Sequence, residues 1–188
     1  MTPDFKSAIL RVVPYIIVLI VLKIASRNKK INQDNFFLKK PVTPTRFFFW
    51  WLGFLLYVLA TEFVLYKFNI LEIKPWNHKP VTSIVLILGS VVLAPLLEEL
   101  LFRGLLLQRL LNLKLKKYFA IIIQAIVFVL MHSFAYENTL TSNIGIVQTF
   151  IDGCLFGIAR MTTKSIYTSV SMHATGNLIA VLERILIA

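Results

Sequence analysis

The chain has 188 residues, 57% of them hydrophobic, and a formal net charge of +11. Its mean hydropathy of +0.76 lies far above that of an ordinary soluble domain and excludes one as the main body of the chain. Such a positive charge would suit nucleic acid, but its placement argues for no nucleic-acid partner. Basic residues collect in alternate connections between apolar runs, the pattern of a membrane protein with cytoplasmic basic loops.

In chain order, six apolar segments approach or reach the roughly 20 residues that a helix needs to span a bilayer. They run from about Ala8–Ile24, Phe47–Tyr66, Val81–Leu107, Tyr118–Ser133, Ile144–Ala159 and Ser165–Leu186. The expected fold is therefore all-α, a polytopic helical membrane bundle of about six transmembrane helices. Arg11 and Lys23 bracket the first run and can snorkel to the two interfaces. The basic cluster follows that run and no A-x-A site is present, so an uncleaved helix is expected there, not a signal peptide.

The first connection carries Arg27, Lys29, Lys30, Lys39, Lys40 and Arg46, and its Phe36-Phe37-Leu38 stretch suits a membrane surface. Phe47-Phe48-Phe49-Trp50-Trp51 then reads as an interfacial aromatic belt. The second connection is mixed (Lys67, Glu72, Lys74, Lys79) and the fourth carries only Glu137. Arg109, Lys114, Lys116 and Lys117 crowd the third, and Arg160 and Lys164 flank the fifth. The expectation is a multi-pass protein of a cell membrane with connections one, three and five cytoplasmic and both ends outside. Cys154 is the only cysteine, so no intrachain disulfide is possible and a buried small residue is the natural reading. Gly153 and Gly157 form a small-xxx-small pair suited to close helix packing.

The third run contains Glu98-Glu99-Leu100-Leu101-Phe102-Arg103, three charges at membrane depth. Ionisable groups there cost several kcal/mol and mark function by default. Glu99 and Arg103 are four apart and can pair along one helix as a structural couple. Glu98 points about 100° away and stays available for chemistry.

The later spans add His132, Asp152, His173 and Asn177. Counted from the third connection, Glu98 and His132 both stand roughly 22–24 Å up their helices, at one level. His173 and Asn177 are four apart on one face of the last span. Asp152 falls near the depth of His173, where it can either orient that imidazole or pair with Arg103. Glu62, before Lys67, reads as an interfacial charge. A carboxylate, two imidazoles and an amide suit hydrolysis: a shielded Glu as general base, an Asn as a donor to an oxyanion. Glu98, His132 and His173 also form a zinc ligand set with a position left for water. Neither G-x-S-x-G nor H-E-x-x-H is present.

Glu98-Glu99-x-x-x-Arg103, Phe128-x-x-x-His132 and His173-x-x-x-Asn177, in this order, resemble the motif set of the CPBP family. These are intramembrane proteases related to the type II CAAX prenyl endopeptidases and to bacteriocin-processing and immunity (Abi) proteins. Gly153, Gly157 and Ser165-Ile166-Tyr167 also resemble the stretch before the family's final His, and the likeness covers about residues 85–180. It implies two N-terminal helices over 1–80 and a four-helix catalytic core over 81–188. It further implies an intramembrane endopeptidase in which Glu98 and His132 activate water while His173 and Asn177 stabilise the oxyanion. Some descriptions of the family are metal-dependent. The implied partners are membrane lipid and a membrane-associated peptide or protein, prenylated or leader-bearing. The short length and Asp152, where an apolar residue is expected, depart from the pattern. A Lys-, Asn- and Ile-rich chain suits a bacterial plasma membrane. The alternative is a non-enzymatic bacteriocin immunity or interaction protein whose polar cluster only holds the bundle together.

Overall fold

A computed structural model describes residues 2–25, 40–70 and 73–187. The basic run and the Phe36-Phe37-Leu38 segment within 26–39, and Glu72, lie outside the described residues. Among the described residues there is no strand, and six helices form the bundle. They are α1 (Pro3–Ala25), α2 (Pro44–Lys67), α3 (Pro80–Asn112), α4 (Lys117–Leu130), α5 (Leu140–Thr163) and α6 (Ile166–Leu186). This is the all-α membrane bundle the hydropathy pattern predicts.

Start signals are local. Pro44 occupies the first turn of α2, where its missing N–H costs nothing, and Thr43 Oγ1 accepts from the Arg46 N–H at 3.3 Å. Thr139 and Ser142 form a reciprocal capping box at the head of α5. Ser165 caps α6 straight after Lys164, whose φ of 54° turns the chain between the last two helices.

Of the six predicted spans, α1, α2, α3 and α5 are long and apolar enough to cross a membrane. Two differ for separate reasons. α4 has only 14 residues, about 21 Å of rise, because the chain leaves the helix after Leu130. α6 is long but carries Thr168, Ser169 and His173, all buried, so its polar face is spent inside the bundle. Hydropathy is low there because the helix faces protein.

Contacts at the helix ends fix the order. Val42 N–H donates to the Thr163 carbonyl and Arg46 to that of Thr162, so α2 begins where α5 ends. At the opposite end Trp76 N–H donates to the Arg184 carbonyl, and His78 pairs with Asp4. The start of α1, the second connection and the end of α6 therefore share one face of the bundle. Two expected surface groups turn inward: Trp51 Nε1 donates to Thr175 Oγ1 at 2.9 Å, and buried Arg160 donates to Gln108 Oε1 at 2.6 Å. Both side chains point between helices, where partners exist, instead of to an interface.

α3 is the distorted element. Its backbone opens into wide, π-type turns at Leu88–Leu93 and Leu100–Leu106, with Glu98 and Glu99 between them. In the first wide turn Ala94 N–H reaches back five residues to the Gly89 carbonyl. In that register the Ser90 carbonyl would next receive residue 95, which is a proline without an N–H. Asn177 Nδ2 of α6 supplies the missing donor to Ser90 O at 2.7 Å.

Gly153 and Gly157 give α5 its close approach to α4. A Cβ on Gly153 would meet Ala125 Cβ at 3.0 Å, and one on Gly157 would meet Gln124 Nε2 at 3.1 Å. Phe54 and Val58 of α2, Phe156 and Ala159 of α5, and Met172 and Ile179 of α6 form the apolar core on the other side.

Candidate active site

Burial of charge organises the site. Glu99 and Arg103 are both wholly buried and pair at 2.9 Å, the predicted i,i+4 couple. A guanidinium removed from water needs partners for its charge, and of the Arg103 nitrogens only Nε has no hydrogen-bond partner among the described residues. Arg103 Nη2 donates to the Gly153 carbonyl at 3.2 Å, and the cation lies over the Phe128 and Phe156 rings at 4.4 and 5.1 Å.

Glu99 has a second task that intrahelical spacing does not reveal. Its Oε1 also accepts from His173 Nδ1 at 3.1 Å. A carboxylate can only accept, so the Nδ1 proton is fixed there and Nε2 faces the other way. Phe156 stacks on the same imidazole at 5.2 Å and 21°, holding its plane. The two positions foreseen for Asp152, orienting His173 or pairing with Arg103, are both taken by Glu99.

Nε2 of His173 stands 3.8 Å from Glu98 Oε2. That is beyond a direct hydrogen bond and within reach of a shared water. Glu98 is 24% exposed, and Oε2 is shielded yet has no hydrogen-bond partner among the described residues. The histidine nearest to Glu98 is thus His173, while His132 also lies within electrostatic reach.

His132 sits just past the end of α4, not on the helix. The helix closes with the N–H groups of Met131 and His132 folding back to Phe128 O and Val129 O. His132 Nδ1 donates to the same Phe128 carbonyl at 2.8 Å and so satisfies one of the orphan acceptors of a helix end. Its Nε2 is left free. The Phe128 ring meets both imidazoles edge-on, His132 at 4.9 Å and His173 at 5.8 Å.

A cleft of about 300 Å³ gathers His132, Asp152, His173 and Asn177, with Glu62 on its wall. Glu62, foreseen as an interfacial charge, accepts from Gln148 Nε2 at 2.8 Å. Asp152 Oδ1 has no hydrogen-bond partner, and Tyr57 is beside it. Gln124, outside every motif named above, is fully buried and donates to Gly153 O at 2.7 Å, sharing that carbonyl with Arg103. Its signal was available: it is the only strongly polar side chain between Tyr118 and Leu130.

The zinc set is not gathered tightly enough, although each imidazole has only Nδ1 committed, to Phe128 O or to Glu99, and keeps Nε2. Among the described residues no three His, Cys, Asp or Glu side chains converge closely enough to hold a metal ion. No step below is routed through one.

Residues 80–179 match the family model described as type II CAAX prenyl endopeptidase Rce1-like. The comparisons with curated proteins and with solved structures give no match.

Proposed function

The chain belongs to the type II CAAX prenyl endopeptidase Rce1-like family, and from that premise we propose that it hydrolyses a peptide bond with water activated at Glu98. The observation that carries this reading is the unsatisfied Oε2 of Glu98, held 3.8 Å from an imidazole whose tautomer Glu99 fixes.

Water entering between Glu98 and His173 gives its proton to Glu98 Oε2 as its oxygen attacks the scissile carbonyl. The Nε2 lone pair of His173 faces the same water and orients it; Glu99 and Phe156 keep the ring from turning. Asn177 has two amide hydrogens. One is on Ser90 O, and the other is left for the oxyanion. His132 presents Nε2 from the end of α4 and completes the proton path. Collapse of the tetrahedral intermediate breaks the C–N bond, and the proton taken from water passes to the leaving amine.

The substrate is a membrane-associated peptide or protein, prenylated or leader-bearing, since the catalytic groups lie within a bundle of apolar helices. The basic third and fifth connections face the cytoplasm of a bacterial cell, and the start of α1 and the end of α6 lie outside.

The test compares protein N-termini and C-termini by mass spectrometry in cells accumulating equal amounts of wild type or Glu98→Gln. New termini that depend on Glu98 are expected. Identical profiles, with both proteins folded in the membrane, would overturn the assignment in favour of an immunity or interaction role.

A further inference from the structure

A second cavity, of about 560 Å³, lies between α1, α3, α6 and the connection 73–79. It adjoins the cleft and shares Asn177 and Ala180 with it. Its lining is divided by chemistry. Arg11, Arg184, Trp76 and His78 are polar or interfacial in character, while Val12 and Val181 are apolar.

Among the described residues no carboxylate lines the cavity. Among the described residues, neither Arg11 nor Arg184 pairs with an acid. Arg184 is instead fixed by structure: Nε donates to Lys74 O at 3.0 Å, and the guanidinium lies 4.9 Å from the Trp76 ring centre. These two contacts leave its terminal nitrogens unassigned. His78 is different, because Asp4 holds it at 2.9 Å and balances its charge when protonated. Ser90 Oγ is buried at the cavity wall with no hydrogen-bond partner. The cavity therefore offers two arginines, which present donors in a planar fork suited to phosphate oxygens, and a spare hydroxyl.

Position identifies where the phosphate comes from. The connection 73–79 is tied down by Trp76 N–H on Arg184 O and Trp76 Nε1 on Ser83 Oγ, so the cavity lies at an end of the bundle. Leu10 and Val13, on either side of the Arg11–Val12 pair, are 65% and 40% exposed on the outer face of α1. Arg11 thus stands beside the lipid-facing surface of α1, and on α6 Val181 lies about one turn deeper in the bundle than Arg184. Headgroup and acyl chain of a phospholipid divide in the same way.

We propose that this cavity binds the phosphate of a membrane phospholipid, with Arg11 and Arg184 on the phosphate oxygens and Val12 and Val181 against the first part of an acyl chain. This site goes beyond the proposed proteolysis and does not depend on it.

The test is native mass spectrometry of the purified full chain in detergent supplemented with phosphatidylglycerol. Wild type is expected to retain one lipid. Arg11→Gln should retain about tenfold less, the loss of one charge-assisted phosphate contact, and Arg11→Lys should restore most of it. Inorganic phosphate in excess separates the sources: displacement shows that the phosphate group alone carries binding, and persistence shows that the acyl chain adds to it. Either result supports the site. A second measurement needs no variant. Diacylglycerol, which lacks the phosphate, should not be retained by wild type, and its equal retention would overturn the proposal. So would undiminished phosphatidylglycerol on folded Arg11→Gln, or displacement by a peptide carboxylate but not by phosphate.

Discussion

Glu98 and Glu99 are neighbours in sequence and opposites in setting. Behind the cleft, Glu99, Arg103, Gln124, His173 Nδ1 and the Gly153 carbonyl form a buried, mutually bonded set in which Arg103 neutralises Glu99, although Glu99 Oε2, Arg103 Nε and Gln124 Oε1 have no hydrogen-bond partner among the described residues. In front of it, Glu98 Oε2, His132 Nε2 and Asp152 Oδ1 have hydrogen-bonding capacity that no protein group uses. Both regions hold charge away from water, but only the first neutralises it internally. A buried ion is stabilised by its partners or it is available to react, and this molecule assigns the two conditions to adjacent residues on a single helix.

That contrast can be broken experimentally. Glu98→Gln should lower cleavage by on the order of 10⁴-fold while the unfolding midpoint in detergent stays at the wild-type value. A parallel loss of stability would erase the distinction. Glu99→Gln should do the reverse first, leaving Arg103 with an unneutralised charge. A destabilisation of about 3–5 kcal/mol is expected from denaturant titration, with activity falling as His173 loses its orientation.

Asn177→Ala tests a residue that lines the cleft and is tied to the α3 backbone at Ser90 O. Turnover should drop about 10²-fold with a smaller change in KM, as for loss of an oxyanion donor. Gly153→Ala probes only the buried side: its Cβ would meet Ala125 Cβ at 3.0 Å and Cα at 3.2 Å. A cost of about 1–3 kcal/mol by thermal unfolding should leave the activity of the folded fraction intact. The smallest effect should come from dialysis against a chelator, after which cleavage by the folded protein should continue unchanged, because no three His, Cys, Asp or Glu side chains among the described residues are close enough to hold a metal ion.

Much of the bundle was legible, because hydropathy reports lipid-facing length directly. It places α4 and α6 but misses how they differ from full spans: α4 stops after 14 residues, and α6 carries buried Thr168, Ser169 and His173 on the face it turns to protein. Within the candidate site, the Glu99–Arg103 couple followed from spacing on one helix. The bond from Glu99 to His173 did not, since it joins residues 74 apart on different helices. The placement of His132 beyond α4 was equally hidden, as no Gly or Pro marks that helix end. Gln124 was legible and overlooked. A lone amide in an apolar helix has to find a carbonyl, and here it finds Gly153 O.

The wide turn at Leu88–Leu93 has one further consequence, for how this chain can change over evolutionary time. A π-type turn accommodates one residue more than an α turn, so the segment works as a stored insertion. Removing a residue would restore regular pitch and rotate Glu98 and Glu99 by about 100° relative to the start of α3. It would also take the Ser90 carbonyl away from Asn177. Apolar side chains such as Leu88 and Val92 could be exchanged, but Gly89, whose Cβ would meet Val12, and the length of the stretch could not. The number of residues between Gly89 and Glu98 is itself part of the site.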